Sequence, residues 1–126
     1  MDLLALATYM QNEGIGTMGQ SIFINQIPVE TLEAVMIRMP PRGMKFDWEL
    51  PGYFKGSFQI TVRAQTYPAA NTLLNSVIAK LNLQKTTIGS MSINFLRPQT
   101  TPSYFPLSKG NLIEAAMDFE ICYVQN

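Results

Sequence analysis

The chain contains no histidine. That absence removes the usual general base, the usual zinc ligand and every Ser-His or Cys-His nucleophile pair. There is one cysteine, Cys122. An intramolecular disulfide is therefore excluded, and Cys122 is expected to be a small buried side chain in a strand of a protein kept in a reducing compartment. Charge is also scarce: 14% of residues are charged, and nine basic side chains cancel nine acidic ones. No overall field recruits nucleic acid or an anionic membrane.

No apolar stretch approaches membrane-spanning length. The opening segment, Met1 to Met10, lacks a basic region and carries Asp2. Neither a signal peptide nor a span is expected, and the protein should be made and used in a cytoplasm. Internal repeats, low-complexity tracts, a P-loop, metal-ligand spacing and a basic-aromatic stripe are all missing, so no metal and no cofactor is expected.

What the chain does have is apolar content, 47% of 126 residues. The length gives one domain over residues 1–126, able to bury about two-thirds of its unfolded surface. High apolar content with little charge leaves neutral and apolar surface, a sign of burial against other chains.

Gly14-Ile15-Gly16-Thr17-Met18-Gly19 fits the pattern G-x-G-x-x-G. A dinucleotide site needs a strand before the glycines and a helix after them, so that helix amides meet the pyrophosphate. Here the order is reversed, with helix formers at Leu3 to Met10 and a β-branched, aromatic run from Ser21 to Asn25 stopped by Pro28. The glycines therefore read as a helix end turning into a strand. A small-ligand or nucleotide-binding α+β domain using the turn 14–19 is the alternative function.

Leu3, Leu6, Ala7 and Met10 have helical spacing. Strands are expected over 21–26 and 31–39, the second apolar on both faces and hence central or covered. In the clearest unit, Phe58, Ile60, Val62 and Ala64 alternate with Gln59, Thr61, Arg63 and Gln65, a strand with one buried and one wet face. Pro68 then opens a helix whose Leu73, Leu74, Val77, Ile78 and Leu81 form its apolar stripe. Met91, Ile93 and Phe95 mark one face of a strand over 90–96. A last strand from 113 to 124 sets Ala115, Met117, Phe119, Ile121 and Tyr123 opposite Asp118 and Glu120.

Two connections, at about 39–56 and 97–110, are longer than a compact domain requires. In the first, Met44, Phe46, Trp48 and Leu50 alternate with Lys45, Asp47 and Glu49, a strand-like arm with an apolar face. The second holds three prolines with Tyr104 and Phe105. The aromatics either fold back onto the domain or reach a neighbour as interface anchors.

Candidates for catalysis are thin. Ser108 and Lys109 are adjacent and point apart in extended chain. Asp118 and Glu120 share a strand face about 7 Å apart, a spacing open to acid/base chemistry. A solvated or interfacial face, answered across strands by Arg63 or Arg38, accounts for them better. Binding or assembly is favoured over catalysis, and no enzyme is expected.

The order of these parts is the short helix, Gly14 to Gly19, Ser21-Ile22-Phe23-Ile24-Asn25-Gln26-Ile27-Pro28, then a variable loop. The strand Gly56 to Ala64 follows, leading through Tyr67-Pro68-Ala69-Ala70 into a helix, and the chain closes with a Pro-rich loop and Phe119-Glu120-Ile121-Cys122-Tyr123. This series resembles the tail terminator, or minor capsid, proteins of long-tailed bacteriophages. The resemblance implies an α+β fold, with a mixed or mainly antiparallel sheet packed against a short N-terminal helix and one longer central helix. It also implies a structural virion protein: a homo-oligomeric ring, usually a hexamer, that caps the tail tube, ends its polymerisation and joins tail to head. The implied partners are other copies of the chain, the tail tube protein and the head-completion or connector protein. DNA is only passing cargo, and no membrane is involved. The implied location is the head-proximal end of the virion tail, reached by assembly in the host cytoplasm. The family brings no catalytic residues. The segment Arg42 to Phe54 is more aromatic than the resemblance leads one to expect, and Phe46, Trp48, Tyr53, Phe54, Tyr104 and Phe105 are the candidate interface anchors.

Overall fold

Asp2 opens the first helix by accepting a hydrogen bond from the Ala5 amide at 3.0 Å. It thereby satisfies one of the amides that a helix start leaves unpaired. The helix, α1, covers Leu3–Asn12 and buries Leu6, Ala7 and Met10. Thr66 does the same for α2 (Tyr67–Lys80), with Pro68 in the first turn where its missing N–H costs nothing. Ala70, Leu74 and Val77 are buried, as is Leu81 just beyond the helix end. Leu73 and Ile78 pack at the margin of that stripe. The computed structural model that gives this fold describes all residues except 29, 40–42 and 107–110. The Ser108–Lys109 pair and parts of both long connections lie outside the described residues.

Among the described residues seven strands form one sheet: β1 (Ile22–Ile24), β2 (Ala34–Arg38), β3 (Tyr53–Ala64), β4 (Leu83–Ile88), β5 (Met91–Pro98), β6 (Ser103–Pro106) and β7 (Ile113–Gln125). Their order is β1-β2-β3-β7-β5-β4, with β6 also on β7. Only β1 and β2 pair in parallel. The fold is α+β with a mixed, mainly antiparallel sheet, as the sequence implies. β3 occupies one edge of β7 along nearly its whole length, so β5 and β6 share the other edge end to end. The Gln99 and Thr100 amides bridge that gap by donating to the Asp118 carbonyl.

Cross-strand register explains the core. Phe58, Ile60 and Val62 stand opposite Phe119, Met117 and Ala115, and these rows bury themselves under both helices in one apolar cluster. β2 is buried from Ala34 to Ile37, in keeping with its two apolar faces. The other face of the sheet carries Gln59, Arg63, Glu114, Asp118 and Glu120. It is less wet than alternation suggests, because Thr61 stands between Met36 and Ala116 and is buried there. Cys122 is buried in β7 as expected.

The structure departs from the sequence reading in five places. β4 was not foreseen; only its Ile88 is buried, so this edge strand has almost no alternation and is fixed by its pairing to β5. β3 begins at Tyr53 and β6 lies at Ser103–Pro106, both within stretches that read as loop. In β5, Ile93 pairs with Tyr123 but Phe95 with Cys122. The extra residue, Asn94, makes a bulge that switches the strand's faces, so Leu96 and not Phe95 continues the buried row of Met91 and Ile93. Finally, Met44 to Leu50 forms no strand.

Candidate functional site

The arm before β3 has its own local order. The Asp47 carboxylate accepts from the Glu49 and Leu50 amides at 3.0 and 3.1 Å, and the Leu50 carbonyl accepts from Tyr53 at 3.0 Å. Such an Asx turn reverses the chain without a ladder. Met44 lies over Gly56, where a Cβ would meet its sulfur at 2.7 Å, and Phe46 meets Phe54 edge to face at 5.7 Å. The arm thus follows β3 in hairpin register without forming a strand ladder with it. An open groove of about 470 Å³ separates the two, lined by Lys45, Asp47, Glu49, Tyr53 and Lys55 among others.

A chain of rings links the arm to the core. Tyr123 is fully buried and stacks on Phe54 at 5.2 Å, and Phe46 in turn stacks on Trp48 at 5.5 Å. Trp48 is 84% exposed, and Phe46 and Leu50 are exposed beside it. Offset and edge contacts of this kind stabilise by about 0.5–1.5 kcal/mol each beyond burial. An apolar platform is therefore held in water by a buried anchor.

The six candidate anchors do not form one surface. Phe46 and Trp48 belong to the arm, and Phe54, in β3, packs against Phe46. Tyr53 points to the helix-free face, where the Cys122 thiol donates to its hydroxyl at 3.3 Å. Tyr104 is opposite Ala115 on the helix side, donates to Asn71 at 3.0 Å and packs on Tyr67 at 4.7 Å. Phe105 is opposite Glu114 on the helix-free face and exposed. The arm and the Tyr104–Phe105 pair sit at opposite ends of β7, about 26 Å apart at the strand's rise per residue. Leu4, Leu32 and Tyr67 are further exposed apolar side chains that the sequence reading did not single out. For Leu4 the signal was available: it falls off the Leu6, Ala7 and Met10 stripe.

The glycine turn is closed on itself. Gly14 and Gly19 have φ of 83° and 81°, the left-handed conformation a helix end and turn require. Gly16 is a close approach instead, since a Cβ there would lie 2.5 Å from Ser21 Oγ. The amides of Gln20, Ser21 and Ile22 all donate to the Thr17 carbonyl, Gly19 donates to Ile22, Thr17 to Ser21 Oγ and Met18 to Gln11 Oε1. Amides engaged in this way are not presented to a phosphate.

On the acidic face Glu120 and Glu114 are held in ion pairs. Glu120 meets Arg97 at 2.8 Å, and Arg97 lies over the Phe95 ring at 4.3 Å. Arg63 pairs instead with Glu114. The expected partners of Asp118 and Glu120, Arg63 and Arg38, are thus not the observed ones: the bulge at Asn94 brings Arg97 opposite Glu120, a shift that strand periodicity does not reveal. Among the described residues no cluster of three potential metal-binding side chains occurs, and no helix is long and apolar enough to cross a membrane.

The class is an α+β domain of two helices on one mixed sheet, and that fold is shared with a chain in the solved virion of a native gene transfer agent (GTA) particle. The TM-score is 0.68 at 14% identity, over 96% of this chain and 94% of that one. Comparison with curated proteins finds no match. The model of the bacteriophage tail terminator protein family matches residues 9–125, and the chain belongs to that family: it is a structural phage tail protein.

Proposed function

We propose that copies of this chain form a ring, of six subunits, on the head-proximal end of a phage tail tube. The ring ends tube polymerisation and joins tail to head, with DNA passing through it as cargo. Its partners are the tube protein on one side and the head-completion or connector protein on the other, met during assembly in the host cytoplasm. The observation that carries this reading, beside family membership, is the aromatic arm: Phe46, Trp48 and Leu50 stand in water on a charge-poor domain, in the residue types that anchor protein interfaces. Phe54 supports them from behind, and Phe105 offers a smaller apolar contact at the far end of the sheet.

Light scattering after size exclusion, with negative-stain imaging of the protein mixed with tail tubes, tests it. Hexamer-sized rings, or monomers that become rings at tube ends, are expected. A monomer indifferent to tubes at all concentrations would end the proposal.

A further inference from the structure

β3 lies inside the sheet, yet half of one of its edges carries no strand. Against β7 it pairs from Tyr53 to Ala64, but on its other side the ladder with β2 runs only from Arg63 to Gln59, where Arg38 ends it. The Gly52 carbonyl accepts from Gln125 of β7, while the Tyr53 amide turns the other way and donates to Leu50. Backbone groups alternate in direction along an antiparallel strand, so Phe54, Gly56 and Phe58 bond to β7, and Tyr53, Lys55 and Ser57 face the edge that β2 leaves uncovered. Among the described residues no backbone hydrogen bond joins Lys55 or Ser57 to the arm. Open strand edges are templates for pairing, and proteins ordinarily cover them.

The arm lies beside this edge in the register of a missing strand. Met44 over Gly56 and Phe46 against Phe54 set Lys45 opposite Lys55 and Gly43 opposite Ser57. Those last two are the pairs whose backbones exchange hydrogen bonds in an antiparallel ladder, because Lys55 and Ser57 face the arm. Two features oppose the ladder. Lys45 and Lys55 would stand as like charges directly across it, and Lys55 is turned away over the Phe95 ring, 6.0 Å from its centroid. Gly43 has φ of 67°, far from the extended backbone that a strand requires. Glycine crosses between the two conformations at no steric cost, which makes Gly43 a hinge at the start of the arm.

We infer that residues 43–46 are a latent strand, a strap that closes onto Lys55–Ser57 when Gly43 extends and the repulsion between Lys45 and Lys55 is relieved. Closure makes both hydrogen bonds of the Lys45–Lys55 pair and both of the Gly43–Ser57 pair. It keeps Met44 and Phe46 on the side of Gly56 and Phe54, so no buried contact is lost. The Asp47 turn stays as it is, and Phe46 and Trp48 pass from a side-chain tether to a hydrogen-bonded hairpin. The occupant of the edge is the chain's own arm, because the arm's side chains already hold the matching register. The inference does not depend on the proposed ring.

Amide hydrogen exchange, followed by NMR on the free protein over a range of concentrations, reads this edge residue by residue. In the unaltered protein Lys55 and Ser57 should exchange many-fold faster than Phe54 and Gly56, whose amides bond to β7. K45E turns a like-charge pair into an opposite one, and G43V disfavours the left-handed backbone that holds the arm open. Each should slow Lys55 and Ser57 by about 10-fold and leave Phe54 and Gly56 unchanged. Gly43 and Lys45 are exposed, and a Cβ at Gly43 meets nothing within 4 Å, so both variants should fold. The Phe54 and Gly56 amides report in the same spectra whether they do. Slow exchange at Lys55 and Ser57 in the unaltered protein would mean that the edge is already paired. Fast exchange in two folded variants would mean that the arm has no strand state, and slowing that grows with protein concentration would give the edge to a second copy. Any of these three results overturns the inference, and none of them bears on whether rings form.

Discussion

Arg63 on β3 and Glu114 on β7 face each other directly across the sheet, with Nε and Nη2 of the arginine at 3.0 and 2.9 Å from one carboxylate oxygen. The same guanidinium donates through Nη1 to the carbonyls of Pro28 and Thr31 at 2.9 and 3.3 Å. It therefore ties the connection between the parallel strands β1 and β2 down onto the helix-free face. Among its described residues that connection has no helix, and Arg63 is one of the groups that hold it.

Removing Arg63 should be costly. Its side chain and that of Glu114 are 11% and 14% exposed, and breaking one partner of a largely desolvated pair leaves the other charge unpaired and takes a donor from the Pro28 and Thr31 carbonyls, of which Pro28 keeps the Thr31 amide. Arg63→Ala is expected to destabilise by about 2–4 kcal/mol. Arg97→Ala, whose side chain is 57% exposed beside Glu120, should change stability by about 1 kcal/mol or less. Urea unfolding of both variants checks the order. Equal effects would mean that the β1–β2 connection does not depend on Arg63.

The glycine turn gives a second prediction. Gly16→Val should destabilise by about 1–3 kcal/mol, because the added Cβ would press on Ser21 Oγ and Ile22 Cγ1. Calorimetry with nucleotides should give no binding heat for either form. Binding by the unaltered protein that Gly16→Val abolishes would revive the ligand-binding alternative.

The sheet's central strands were legible because their two faces meet different solvents. Phe58 to Ala64 and Ala115 to Tyr123 write the core face directly into their alternation. The α2 stripe was equally readable, while the caps at Asp2 and Thr66 went unread. β4 was not, since an edge strand with one buried side chain has no pattern to display. The bulge at Asn94 is likewise invisible, because a one-residue register change is decided by packing against β7. At the arm, the alternation of Met44, Phe46 and Trp48 was visible. Its meaning was not, because only Met44 reaches the core and the remaining rings stay in water.

Tyr123 supplies a pH-dependent prediction. Its ring closes the aromatic chain from Trp48, and its hydroxyl is buried with no hydrogen-bond partner among the described residues. Burial raises its pKa above the ordinary tyrosine value. The folded state thus favours the neutral phenol. Its contribution is fully present below the unfolded pKa, about 10, and is lost as pH rises through the higher folded value. Stability should fall on the alkaline side from about pH 10 upward. Tyr123→Phe should flatten that fall and stabilise the neutral-pH protein by about 1 kcal/mol or more, because a polar group without a partner is removed. Thermal unfolding across pH 8 to 11 follows both effects.

The arm separates folding from assembly residue by residue. Met44 packs on the core beside Gly56, so Met44→Ala should destabilise by about 1–3 kcal/mol and affect assembly only through stability. Phe46, Trp48 and Leu50 are exposed, and replacing all three by serine forfeits ring stacking while creating no cavity. That triple variant is expected to unfold within about 1 kcal/mol of the unaltered protein and to lose attachment to tube ends. Chemical denaturation and tube-capping assays on the same preparations decide between the two roles. A triple variant that collapses or precipitates would show that the platform is part of the core. One that folds and still caps tubes would move the contact surface to the other end of the sheet, where Phe105 stands exposed opposite Glu114.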